Sequence, residues 1–196
     1  MSLSSWLRTA TAGVTVVLAT ATATTATAGP APTAESSMVS TAAVVTLRYD
    51  DSRAAGWEAA IAAGVASWNA NVANVRLVEA APGTRAEIVI VATTGWPQAT
   101  LGPVRPGRQV RVELGSQAVA QGYDKTRIAA HEIGHSLGLP DTKPGPCSQL
   151  MSGSSAGTAC ANAVADAAEQ ARVEAAYANG AAARFVTDGR TLVDAP

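Results

Sequence analysis

One segment constrains the fold of this chain more than any other: His131-Glu132-Ile133-Gly134-His135-Ser136-Leu137-Gly138-Leu139-Pro140-Asp141. It carries both histidines of the 196-residue sequence. H-E-x-x-H asks for a helix, because residues four apart share a face about 6 Å apart along the axis, so both imidazoles reach one ion. Glu132 then lies near the first ligand, where it can reach a metal-bound water without binding the metal. On a continuing helix Asp141 would stand about 15 Å beyond His131. Gly138 can take the left-handed conformation that ends a helix, and Pro140 forbids its resumption. The chain can then swing Asp141 back as a third ligand. Two nitrogens, one oxygen and a water make a four-coordinate, open zinc site.

The flanking pattern predicts where that helix sits. Val44–Tyr49 reads as a strand bounded by Asp50-Asp51-Ser52, a turn or helix-start signal. An Ala-rich helix follows to about Asn69, with Trp57, Ile61, Val65 and Trp68 on one face. Val75–Glu79 and Glu87–Ala92 are short strands around Pro82-Gly83, and Val110–Leu114 alternates as a half-buried strand. Gly and Pro crowd residues 93–108, which leaves an irregular edge strand near Gln98–Leu101. The H-E-x-x-H helix runs from an N-cap at Asp124 to Leu137, residues 140–159 form a loop, and a last helix covers Val164–Ala178. The expectation is an α+β, mixed α/β domain. Its sheet is small, twisted and mostly parallel, with an irregular edge strand, an active-site helix and a C-terminal helix.

Residues 1–28 read as a secretory signal peptide: Arg8 is followed by an apolar stretch and by Ala26-Thr27-Ala28. The run is too short and too Thr-rich for a membrane anchor across about 30 Å of bilayer. Residues 29–41 suit a short pro-segment or linker, and residues 42–196 form the catalytic domain. A net charge of −1 without a basic run argues against a nucleic-acid partner. The two cysteines, Cys147 and Cys160, are one bridge or two spectators, and an exported chain favours the bridge.

HEIGHSLGLPD, followed by Gly145-Pro146-Cys147, Leu150-Met151-Ser152-Gly153 and Cys160, resembles the snapalysin family of small secreted bacterial metalloproteases, of the metzincin class. The likeness covers about residues 42–180. It implies a metzincin-like fold, one Zn2+ per chain on His131, His135 and Asp141, and Glu132 as the catalytic base. It further implies Met151 as the Met-turn residue, against plain core filling, and a Cys147–Cys160 disulfide. Asp124 and Thr126 match positions associated with structural Ca2+, although both could simply cap the helix. The family carries Tyr two residues after the Asp ligand. This chain has Lys143, either an oxyanion contact or a solvated loop charge.

These readings make the chain a secreted, extracellular zinc endopeptidase in which Glu132 activates a zinc-bound water. The alternatives are a catalytically silent, zinc-containing binding module and a zinc amidase acting on something other than protein. The expected partner is a protein or peptide substrate lying extended along residues 97–104, with Ser152–Thr158 as a wall of the side-chain pocket. The mature form is expected to be a monomer without membrane attachment.

Overall fold

The fold is built around β3, Ile88–Thr93, whose apolar run IVIVA is flanked by parallel partners on both sides. Its first four residues are buried, as expected for a strand covered on both faces. The computed structural model describes residues 43–180 and 189–196. The signal peptide and pro-segment expected over 1–41 lie outside these residues. Among the described residues, six strands form one sheet in the order β2-β1-β3-β5-β4-β6. β1 (Val45–Arg53), β2 (Val75–Glu79), β3 and β5 (Val110–Gly115) are parallel. β4 (Gln98–Thr100) is antiparallel to β5, and β6 (Thr191–Val193) is antiparallel to β4. The mixed α/β, mostly parallel architecture is the one expected.

Helix α1 (Glu58–Asn71) joins β1 to β2 as a parallel crossover. Trp57, Ile61, Val65 and Trp68 are all buried, as their spacing requires. The helix packs on α3 (Lys125–Ser136), and Trp68 Nε1 donates to Ala130 O at 2.9 Å. That bond satisfies the one polar atom of a side chain otherwise sealed in the core. Leu114, Ile133, Leu137, Leu139, Leu150 and Met151 continue this core beneath the H-E-x-x-H segment.

The structure corrects several sequence expectations. β1 continues through Asp50-Asp51-Ser52, where a turn or helix start was expected. The local signal is real: Asp50 Oδ1 accepts from the Ser52 N–H at 3.0 Å, and the pairing with β3 shifts register there. Tertiary pairing absorbs it as a bulge. The last helix, α4, covers Ala167–Tyr177, so Val164 stays outside it. Asp166 and Glu169 form a capping box that fixes the start. A short α2 (Ser116–Ala120), a 3-10 helix (Leu150–Ala156) and β6 were not expected. No helix among the described residues is long and apolar enough to cross a membrane.

Candidate metal centre

Helix α3 begins as the sequence predicts: the Asp124 side chain accepts from the Arg127 N–H at 2.8 Å. All residues from Arg127 to Ser136 are buried. The helix ends in a Schellman pattern, with Gly138 N–H donating to His135 O at 2.9 Å and Leu139 N–H to Gly134 O at 3.1 Å. Gly138 has φ +104°, which turns the chain back towards the helix. Asp141 returns so that its Oδ1 lies 3.4 Å from His131 Nε2 and 3.5 Å from His135 Nε2.

The tautomers follow from the acceptors. His131 Nδ1 sits 3.0 Å from Leu150 O, and His135 Nδ1 sits 2.7 Å from Leu139 O. A carbonyl can only accept, so both Nδ1 atoms carry hydrogen, and in the neutral rings both Nε2 lone pairs face Asp141. His131 Nε2, His135 Nε2 and Asp141 Oδ1 are buried without a hydrogen-bond partner. The ligand atoms of the three residues lie within 4.8 Å of one another. Orphaned buried acceptors converging on one point are costly unless a cation satisfies them. The donor set fits zinc: two imidazole nitrogens, a carboxylate and an open side.

The electrostatics agree. Burial pushes the His131 imidazole down, but Asp141, Glu132 and Asp194 outweigh it and raise it to about 9. Burial and then the neighbouring His131 lower His135 to about 4. Burial acts to raise the Asp141 carboxyl, yet the two histidines hold it below the usual range. Glu132 is fully buried with both oxygens unpartnered, and burial lifts it well above an ordinary carboxyl.

The sequence reading missed the residues that hold this arrangement. Arg127 is buried one turn before His131, and its guanidinium donates to Gln149 O, Leu150 O, Ser152 Oγ and Asn162 O. Glu169 accepts from the Leu150 and Met151 N–H groups at 3.0 and 2.7 Å. Its signal was legible, because D-x-x-E over Asp166–Glu169 is a capping-box pattern. Arg127 also had one: it precedes His131 by the spacing that separates His131 from His135. Met151 is fully buried beneath α3, where a Cβ on Gly134 would stand 2.8 Å from its Sδ.

Other expected site residues fall as follows. Cys147 and Cys160 form a disulfide with Cα atoms 5.5 Å apart. Asp124 caps α3, and neither cluster of candidate metal ligands among the described residues includes it. Lys143 is half-buried; its Nζ pairs with Asp194 Oδ1 at 2.5 Å and donates to Ala195 O at 2.9 Å. The edge strand exists at Gln98–Thr100, but β6 covers its outer side. Asp194 itself is buried and belongs to a second cluster with His131 and Glu132.

Comparison with known proteins follows the same lines. The chain is 42% identical over 141 residues to an extracellular small neutral protease of Streptomyces coelicolor, covering 72% of this chain and 63% of the relative. It therefore spans less than two thirds of that relative's length. With the extracellular small neutral protease of Streptomyces caespitosus it shares 40% identity over 136 residues, 69% of this chain and 99% of the other. Among solved structures, the chain is similar to high choriolytic enzyme 1, a hatching enzyme zinc-protease from Oryzias latipes. The identity is 25%, the coverage 50% and 46%, and the TM-score 0.37. It is also similar to archaemetzincin from Methanopyrus kandleri, at 14% identity, 70% and 97% coverage and a TM-score of 0.42. Residues 44–180 match the Streptomyces extracellular neutral proteinase (M7) family, and the chain belongs to it.

Proposed function

We propose that this chain is an extracellular zinc endopeptidase, made with a signal peptide over residues 1–28 and a short pro-segment over 29–41. The observation that carries the reading is the set of three orphaned, buried ligand atoms on His131, His135 and Asp141, with Glu132 beside them. The names of the Streptomyces relatives support the activity and the location.

In this reading His131, His135 and Asp141 hold the ion, and Leu150 O and Leu139 O fix the two rings. A bound zinc ion supplies Lewis acidity towards a peptide carbonyl and acidifies a water. Glu132 takes a proton from the attacking water and returns it to the leaving nitrogen. Its burial suits it to that exchange, because a carboxyl lifted well above the ordinary range holds a proton more firmly than an exposed one. Met151 supports the histidine-bearing turns from below. An extended substrate would add to the outer edge of β4, and Ser152–Thr158 would border its side chains.

The test is a peptide-library digest read by mass spectrometry, with bound zinc counted in parallel. Zinc-loaded protein should cleave, and chelation should stop it. Glu132→Ala should retain zinc and lose activity by about a hundredfold or more. Full activity in zinc-free Glu132→Ala protein defeats the proposal. Absence of any cleavage by the zinc-loaded protein would identify a silent binding module instead.

A further inference from the structure

The segment after residue 188 lies outside the family match, which ends at residue 180, yet it reaches the metal centre. Thr191, Leu192 and Val193 pair with Thr100, Ala99 and Gln98. Two further backbone bonds extend the ladder: Leu101 N–H donates to Arg190 O at 2.8 Å, and Asp194 N–H donates to Pro97 O at 2.9 Å. This is the edge that an extended substrate would need. Antiparallel addition of a strand to that edge satisfies backbone groups whatever the side chains, so an intramolecular strand and a substrate compete for the same donors and acceptors.

Beyond β6 the segment is anchored by a built receptor. Asp194 Oδ1 accepts from the Ser154 N–H at 2.9 Å and pairs with Lys143 Nζ at 2.5 Å. Ala195 O accepts from Lys143 Nζ and from Ser154 Oγ, each at 2.9 Å. Gly153 makes the room, since a Cβ there would stand 2.3 Å from Asp194 Oδ1 and 3.0 Å from His131 Cε1. The Asp194 carboxylate is thereby buried with an oxygen within 4.8 Å of ligand atoms of both His131 and Glu132.

We infer that residues 190–195 are an intramolecular inhibitor of the cleft: a strand on the β4 edge that delivers the Asp194 carboxylate to the metal centre through a receptor made by Ser154 and Lys143. The inference rests on the peptidase reading. The same receptor defines the ligand class this cleft takes in trans, an extended peptide with an acidic side chain where Asp194 lies. Lys143 is accordingly a docking residue for the strand while the segment is in place. A substrate must displace the strand, so inhibition raises KM and leaves kcat unchanged.

The experiment compares the full chain with one ending at Gly189, both zinc-loaded. A tethered strand acts at an effective concentration of about 1 mM, so a peptide that binds in trans at about 0.1 mM implies roughly a tenfold fall in KM on truncation. Hydrogen exchange supplies a readout independent of turnover. The Leu101 amide should be protected in the full chain, exposed in the truncated one, and protected again when the peptide RTLVDAP is added. The peptide with Asn in place of Asp should inhibit far more weakly. Asp194→Ala in the full chain should also lower KM, which serves if the truncated chain does not fold. Equal KM values and equal Leu101 protection in full and truncated chains overturn the inference and leave the peptidase reading standing. Exposure of Leu101 without cleavage by either chain overturns the peptidase reading, and the inhibition with it.

Discussion

Leu150 O is the atom on which the candidate metal centre turns. It accepts from His131 Nδ1 at 3.0 Å and from the Arg127 guanidinium at 3.3 Å, while the Leu150 N–H is held by Glu169. The backbone of one residue is thus pinned on both sides of its Cα by buried charges, and it aims His131 Nε2 at the point where the candidate ligand atoms converge. Such outer partners tune ligands as much as the ligands themselves do. The raised His131 imidazole has a thermodynamic consequence. At pH 7 the metal-free protein keeps a proton on His131, whose value is about 9, and none on His135, whose value is about 4. Zinc binding must displace the first, so binding should release protons at pH 7. Calorimetric zinc titrations in two buffers of different ionisation enthalpy check this. The sign for stability follows: the His131 proton favours the metal-free fold below pH 6.5 and stops doing so as pH rises through about 9. The gain in Tm on adding zinc should therefore grow across that window.

At the scale of elements, the sequence was most legible where local chemistry and burial agree. The α3 helix starts at an Asp that caps it and stops at a Gly that leaves it, and tertiary packing only reinforces both ends. Gly138 carries the strictest local demand. Its φ of +104° is left-handed, and a Cβ would stand 3.0 Å from Pro103 Cδ. Gly138→Ala should cost about 1–3 kcal/mol of stability, as strained backbone does, and weaken zinc binding because Asp141 is aimed by this turn. Urea denaturation and a zinc titration of the same variant test the two effects together. Elements were misread where local signals compete with pairing. The Asp50–Ser52 contact looks like a turn signal, but β3 recruits the segment into a bulged strand. Val164 is apolar yet exposed, so the apolar pattern extended the last helix beyond its true cap at Asp166. β6 is only three residues long and has no core face, so no periodicity announces it.

Over the whole molecule, distant segments converge on the 3-10 turn under the metal centre. α3 supplies Arg127 and the histidines, α4 supplies Glu169, and the disulfide closes the loop between them. Cys147 and Cys160 are 13 residues apart, and closing a loop of that size removes about 3 kcal/mol worth of unfolded-chain freedom. The double variant Cys147→Ser/Cys160→Ser should unfold in urea with roughly that loss, while still folding around the core of Trp68, Ile133 and Leu150. The sequence alone determined the chemistry of the centre, because helical spacing, a left-handed Gly and a Pro act over at most a turn or two. It also determined the parallel α/β frame, since β-branched runs and one amphipathic helix admit few other arrangements. Only the tertiary structure decided that Arg127 and Glu169 hold the turn, and that Asp194 reaches His131 and Glu132 from 63 residues beyond His131. Such contacts depend on chain reversals that bring separate segments together, and a carboxylate that finds its partner across the fold looks, in the sequence, like any other surface acid.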